Sequence, residues 1–440
     1  MRKIFTNGVF DLFHEGHYHL LRKAKAEGDF LLVGVASDES CAKSKRPPIE
    51  PWEKRARKVL EAPFVDEVIK TPWSVDLTEA FYADHGISLQ VQGDQGSSFG
   101  VAEKLGILKI VGRTDGISTT KLLDILKAED AEILEGGYLN DVKRVLYEGS
   151  YFVVKYAQRT VGRLYPIPLP DHRTRDEYDV IVAFHKHMGS PGFIVKPLYS
   201  DREKIIIFDS APVEAETLFV RLLREEMDES LLTKIVESLA GMHNASLDNG
   251  ALRDRFSSNR GFLEIKVDLQ CRQATGDAAL RERIGDFMDR SMRIQRVLLH
   301  GDFAPKNILV WGRAQYLFID FEESGYGDPA LDVGYFFAHL YLHRELRGAG
   351  GGEEMLGRLL AAYLAVFSGA DPGLVARING FIGIFLISRL DSRAPAKYVP
   401  ESLRERIRSM AVPLILGETR LSPWPAASEE AAQAPARQAR

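Results

Sequence analysis

Along the first 130 residues the apolar positions fall into two recurring patterns. Short runs such as Phe30-Leu31-Leu32-Val33-Gly34-Val35-Ala36 are apolar throughout. A strand reads that way when both of its faces are buried in a parallel sheet. Between such runs the apolar residues thin out to one face, as at Leu20, Leu21 and Ala24, which recur at helical spacing. The alternation predicts strands over 2–6, 30–36, 65–69, 89–94 and 107–111, and helices over 18–26, 53–60, 77–85, 101–105 and 120–128. Strand, helix and strand in turn make βαβ units, so ligands are expected at the carboxyl ends of the strands.

Beyond a charged bridge over 127–133 the pattern changes. Residues 142–146 and 151–154 alternate as two strands around Glu148-Gly149, which predicts a hairpin. A helix is expected over 175–187 and a strand over 204–209, ending at a hinge. Helices over 231–243, 359–367 and 378–390 complete a helical lobe, with a glycine-rich mobile loop over 346–353. From Ser422 onward Pro, Ala, Ser, Gln and charges dominate, the composition of a disordered tail. This predicts domains over 1–130 and 134–420 and a tail over 421–440.

Composition narrows the function classes only a little. At 440 residues the chain has room for two or three domains. Its 45% hydrophobic and 27% charged content is that of an ordinary globular protein. A formal net charge of −5 supplies no basic field for nucleic acid. Cys41 and Cys271 are the only cysteines, which implies no disulfide framework and fits a reducing, cytoplasmic setting. No run of 18 apolar residues suggests a membrane span, and a strand at the very start is expected to leave no room for a signal peptide.

The candidate chemistry of the first half lies in the loop between the first strand and the first helix. Gly8 stands where the chain must turn, and His14 and His17 stand three apart at the helix start. A helix N-terminus presents free N–H groups and the positive end of its dipole. Two imidazoles beside that end suit a phosphate, above all one gaining charge in a transition state. The zinc-protease pattern H-E-x-x-H fails, because the residue four after His14 is Tyr18.

The stretch Gly8-Val9-Phe10-Asp11-Leu12-Phe13-His14-Glu15-Gly16-His17 resembles the H-x-G-H signature of the nucleotidyltransferase superfamily that includes the cytidylyltransferases. Arg113-Thr114-Asp115-Gly116-Ile117-Ser118-Thr119-Thr120 resembles the R-T-x-G-I-S-T-T signature of the cytidylyltransferases for ethanolamine phosphate, choline phosphate and glycerol 3-phosphate. The resemblance covers roughly 1–130 and implies a Rossmann-like α/β domain that binds CTP. It implies catalytic roles for His14, His17, Lys45 and Arg113, and nucleotide contacts for Gly8, Phe10, Asp94, Ser118 and Thr119. Arg46 stands where that family has a glycine, and Arg55 falls on a helix position near its nucleotide. Ser118 and Thr119 also read as ordinary helix caps, and the two readings use the same physics.

In the second half Asp302 and Asn307 stand five apart in His300-Gly301-Asp302-Phe303-Ala304-Pro305-Lys306-Asn307, the spacing of the kinase catalytic loop. There Asp302 can accept a substrate hydroxyl proton and Asn307 can hold Mg²⁺. An apolar run ending at Asp320 offers a second metal contact. Lys155, at the end of the hairpin, and Glu177, on the following helix, form a candidate pair at the ATP phosphates. The whole resembles the aminoglycoside phosphotransferase and choline/ethanolamine kinase superfamily over roughly 134–415, which implies a bilobal protein-kinase-like α+β domain. Asp332, in Asp328-Pro329-Ala330-Leu331-Asp332, reads as structural.

Together the resemblances imply a bifunctional enzyme. The second half would phosphorylate a small alcohol with ATP and Mg²⁺, and the first would join that phosphate to CTP, releasing pyrophosphate. Ethanolamine or choline comes first among the alcohols, with glycerol or another polyol next. The cytidylyltransferases also imply a homodimer formed through the N-terminal domain. Two other readings stay open: an adenylyltransferase fused to a kinase, and a chain in which one half is catalytically inactive.

Overall fold

The structure, a computed structural model, describes the chain except residues 45–46, 73–75, 95–99, 113–117, 129–130, 135–139, 158–159, 162–166, 169–172, 225–227, 260, 392–398 and 423–440. The chain divides into two compact units, Met1–Gln158 with Pro197–Asp209, and Arg159–Lys196 with Ser210–Arg440.

The first unit opens with five parallel strands: β1 (Lys3–Gly8), β2 (Phe30–Ala36), β3 (Glu67–Thr71), β4 (Leu89–Gly93) and β5 (Leu108–Val111). Between them run α1 (Glu15–Lys25), α2 (Asp38–Ser44), α3 (Trp52–Leu60), α4 (Glu79–Asp84) and α5 (Val101–Lys104), and α6 (Thr119–Lys127) follows β5. The strands are parallel, as the apolar runs predict, and their order is β3-β2-β1-β4-β5. Alternate side chains of each strand feed opposite faces. Ile4, Leu31, Val33 and Val35 pack with α1 and α3 through Leu21, Ala24 and Val59. Phe5 and Leu32 pack on the other face with Tyr82 of α4 and Ala102 of α5. Strand order reverses between β1 and β4, so the loops after these two strands open the crevice where doubly wound sheets bind ligands.

The charged bridge contains a strand that the pattern missed. Residues Ala131–Ile133 form β6, which pairs antiparallel with β7 (Asn140–Tyr147), itself paired with β8 (Ser150–Ala157). Three residues are too few to show an alternation. After β8 the chain leaves for a short strand pair, β9 (Thr160–Val161) and β10 (Ile167–Pro168), and for helix α7 (Arg173–Met188). It returns with β11 (Pro197–Ser200) and β12 (Ile205–Asp209), giving an antiparallel sheet in the order β11-β12-β8-β7-β6. One face of this sheet, through Val145, Phe152, Val154 and Ile207, buries Leu122, Leu123 and Ile125 of α6 and Leu12 of the loop after β1.

The second unit is mainly helical. Here β13 (Glu216–Thr217), β15 (Ile308–Trp311) and β16 (Gln315–Phe318) form a small sheet, and β14 (Val297–Leu298) pairs with β17 (Tyr326–Gly327). The helices are α8 (Leu218–Arg224), α9 (Glu229–Ser246), α10 (Gly250–Phe256), α11 (Ala278–Ser291), α12 (Ala330–Leu346), α13 (Gly352–Val366), α14 (Leu374–Asp391) and α15 (Glu401–Leu416). Helix α12 is buried almost all round, and α14 crosses it where Gly334 leaves no room for a side chain; a Cβ there would lie 2.4 Å from Phe381 Cβ. Between α10 and α11 the segment Gly261–Arg272 is a π-helix of 12 residues, where the sequence pattern predicts no element.

Candidate active sites

In the first unit the loop after β1 is wound tightly. Phe10 and Leu12 both adopt left-handed backbone conformations (φ 54° and 47°), which side chains other than glycine rarely take. Such strain persists only where the surroundings hold it. Here the Asp11 carboxylate accepts the backbone N–H groups of Ile49 and Glu50 at 3.1 Å, and the Asp11 carbonyl accepts the Thr119 hydroxyl at 3.0 Å. Arg55, fully buried, donates to the carbonyls of Val9, Ala36 and Glu50 and to Asp38. Its guanidinium is therefore a clamp on the two loops. The Phe10 ring lies over Gly8, where a Cβ would come within 3.1 Å of it.

This loop delivers both histidines to one place. His14 is the N-cap of α1, its Nδ1 accepting the Gly16 N–H at 3.1 Å, while His17 Nδ1 accepts the His14 N–H at 3.3 Å. The two rings stack with centroids 3.8 Å apart. Because each Nδ1 accepts a backbone proton, the neutral tautomer of each ring carries its hydrogen on Nε2. Burial, and then the neighbouring His14, hold the His17 pKa well below the ordinary value. The result is a stacked pair of imidazoles, His17 held neutral, at a positive helix end, suited to an oxyanion.

The other expected residues of this half are distributed as follows. Asp94 stands exposed just past β4, on the switch-point side of the sheet. Ser118 caps α6, its hydroxyl accepting the Lys121 N–H at 3.1 Å, and the Thr119 hydroxyl is engaged with Asp11. Ser118 thus makes the cap bond of one reading, while the Thr119 hydroxyl, donating to Asp11, ties the α6 N-terminus directly to the histidine loop. Lys45 and Arg113 lie outside the described residues. Lys155 is buried on β8, cross-strand from Val142 and Ile206.

In the second unit the loop after β14 is organised around two aspartates. Gly301 has φ +82°, and a Cβ there would sit 1.8 Å from the Glu323 carbonyl oxygen. Asp332 accepts the N–H groups of His300 (2.7 Å) and Gly301 (2.9 Å), and His243 Nε2 lies 3.3 Å from it. That is the structural role the sequence suggests. Asp302 is then held from both sides. Lys266 Nζ lies 2.7 Å from its Oδ1, and Lys306 Nζ (2.7 Å) and Asn307 Nδ2 (2.8 Å) reach its Oδ2. Burial opposes the Asp302 charge, but Lys266 and Lys306 overcome it and hold the carboxyl well below the usual range. Asn307 donates through Nδ2, which leaves Oδ1 as its atom for a cation.

Glu177 of α7, Asp320 and Glu322 bring one carboxylate oxygen each within 4.8 Å of one another. Asp320 takes a left-handed conformation to do so (φ 67°). All-oxygen donors of this kind fit Mg²⁺, which keeps some of its waters and takes few protein ligands. The sequence reading places Asp320 here but assigns Glu177 to Lys155 and misses Glu322. It also misses Lys266 and Glu323, which stand among other charges, Glu264 and Asp268 beside the one and Asp320 and Glu322 beside the other, in stretches with no recognisable spacing.

The family model described as phosphotransferase enzyme family matches residues 130–374, more than half of the chain. The chain belongs to that family. A second model, cytidylyltransferase-like, matches residues 5–127, so both halves fall in enzyme families. An ethanolamine-phosphate cytidylyltransferase of Arabidopsis thaliana is 34% identical over 131 residues, 28% of this chain and 31% of that protein. A glycerol-3-phosphate cytidylyltransferase of Bacillus subtilis is 35% identical over 124 residues, 28% of this chain and 95% of that protein. The chain thus spans about a third of the length of the ethanolamine-phosphate relative. A solved ethanolamine kinase of Plasmodium vivax covers 70% of this chain and 86% of its own, at 14% identity and a TM-score of 0.45. Among the described residues no helix is long and apolar enough to cross a membrane.

Proposed function

We propose that this phosphotransferase performs two consecutive transfers. Its second half moves the γ-phosphoryl group of ATP to the hydroxyl of a small alcohol. Its first half joins the resulting phosphomonoester to CTP, giving a CDP-alcohol and pyrophosphate. The relatives' substrates offer two classes of alcohol, an amino alcohol of the ethanolamine or choline type and a glycerol-like polyol. The boundary between the activities falls between 127 and 134, both reactions run in the cytoplasm, and the N-terminal half forms a homodimer. The observation that carries the reading is Asp302, bonded to Asn307 and encoded in the same chain as the stacked His14–His17 pair.

In the kinase half Asp302 is too acidic to be a strong base, so its work is to orient the hydroxyl for in-line attack. Lys155 holds the ATP phosphates. Glu177, Asn307, Asp320 and Glu322 hold Mg²⁺, which when bound neutralises phosphate charge. In the transferase half the phosphomonoester attacks the α-phosphate of CTP. His14 and His17 donate from Nε2 to the charge that develops, and Lys45, Arg113 and the α6 N-terminus at Ser118 and Thr119 add to that stabilisation. Gly8 and Phe10 shape the loop under the nucleotide, and Asp94 contacts it from the end of β4.

The test is CTP consumption and pyrophosphate release by the full chain with ATP, Mg²⁺ and ethanolamine, choline or glycerol. A CDP product is expected from at least one; none from any would end the proposal. Asp302→Asn should abolish product from the free alcohol and leave transfer from a supplied phosphomonoester. Loss of both would show that the sites are not separate.

A further inference from the structure

The surroundings of Asp302 contain a feature that the two-step reading does not use. Lys266, on the π-helix Gly261–Arg272, has no exposed surface. Its ammonium lies 2.7 Å from Asp302 Oδ1, 3.1 Å from Glu323 Oε2 and 2.9 Å from Gln270 Oε1, and sits over the Tyr335 ring at 3.8 Å from the centroid. The Phe385 ring is 5.8 Å away. Carboxylates below and aromatic faces above are what recognise an alkylammonium group. Here the protein supplies that group itself. The other cations nearby add to it: Lys306 sits 2.7 Å from Asp302 Oδ2, and Arg389 donates to the Tyr335 hydroxyl at 2.8 Å.

This bears on which alcohol can place its hydroxyl at Asp302. With covalent bonds of roughly 1.5 Å, a two-carbon amino alcohol keeps its nitrogen within about 4 Å of the hydroxyl oxygen. Its charge would then stand near two lysine ammonium groups, while the carboxylates that could balance it are already paired. Lys266 and Lys306 already balance Asp302 and Glu323, so an incoming ammonium would lose its hydration with no net charge to offset the loss, which weakens binding about tenfold or more. A polyol carries no charge to balance, and its hydroxyls can share the carboxylate oxygens with the lysines.

Resting on the kinase reading above, we propose that Lys266 sets the specificity of that half: it fills the cation slot beside Asp302, so the alcohol phosphorylated there is a polyol without an ammonium group. The experiment measures ADP release by the full chain with ATP and Mg²⁺, comparing kcat/KM for glycerol, erythritol and ribitol with that for ethanolamine and choline. At least one polyol is expected to exceed both amino alcohols by about tenfold or more. Lys266→Arg should keep that ratio. The double variant Lys266→Met with Glu323→Gln removes the ammonium without orphaning Glu323, and should shrink the ratio several-fold, a change that a purely structural lysine would not produce. Amino alcohols used as well as polyols by the unaltered protein would overturn the specificity and leave the kinase reading standing. ADP release from no alcohol in either class would overturn both. If the double variant does not fold, the comparison on the unaltered protein still decides.

Discussion

His17 is held neutral by burial and by its stacked neighbour, and this fixes how it can act. A donor that is already neutral gains nothing from deprotonation near pH 6.5. CTP transfer from a supplied phosphomonoester should therefore stay level as pH falls through that value, and drop only at lower pH. An acid limb centred near 6.5, the ordinary histidine value, would contradict the neutral-donor role. Replacing His14 or His17 by Ala should each lower kcat for pyrophosphate release by about 10²–10³, with a smaller change in the KM for CTP. In the other unit Asp332 serves the backbone rather than the substrate. Asp332→Ala strands two buried N–H donors and the His243 partner, and should destabilise that unit by roughly 3 kcal/mol or more in urea denaturation. Residues such as His14, His17, Asp302, Asn307 and Asp320 were singled out as candidates because each sits in a short stretch whose spacing has chemical meaning. Lys266 was not. It stands 36 residues before the aspartate it contacts, and a lysine between Glu264 and Asp268 has no local signature.

At the level of elements, the apolar runs of the parallel sheet translated well, whereas short strands, the π-helix and the long helices α11, α12 and α15 did not. The run Phe30–Ala36 is apolar because helices cover both faces of β2, and it was readable for that reason. Strand β6 was too short, and the π-helix lacks a spacing that the sequence can display, since its wider turn belongs neither to the 3.6 nor to the two-residue period. The π-helix is nevertheless what carries Lys266 to Asp302. The Asp302 loop after β14 depends on one backbone conformation. Gly301→Ala would force both a positive φ on alanine and a collision with the Glu323 carbonyl. It should abolish ADP release and lower the thermal midpoint of the second unit, whereas Gly312→Ala, also at positive φ but on the turn after β15, should leave turnover within about twofold. Equal effects of the two substitutions would deny the loop its special geometry.

On the scale of the molecule, motifs and packing draw different boundaries. The family matches meet between 127 and 130, yet the first compact unit continues through Gln158 and takes in Pro197–Asp209. The reason is α6, whose Leu122, Leu123 and Ile125 are buried against Val145, Phe152 and Val154 of the antiparallel sheet. Sequence motifs mark where chemistry changes and say nothing about which apolar faces must be covered. A fragment ending at residue 130 should therefore expose this surface. It should elute as aggregate or melt well below the first transition of the full chain. A monomeric fragment melting with the full chain would show that the contact contributes little, against the roughly 1.5–3 kcal/mol usual for each buried aliphatic side chain.

Leu12 lies in the same loop as His14 but is buried with the sheet residues Val145, Phe152 and Ile207. Recombination between relatives would therefore be constrained at this point. A donor cytidylyltransferase spliced in front of residue 131 would bring its own residue at the Leu12 position, chosen against a different neighbour. The graft would have to carry matching substitutions on β7, β8 and β12, or its histidine loop would lose the surface that sets its shape. Fused and unfused relatives are then not interchangeable parts, and residues that no substrate touches would have to change together across the junction.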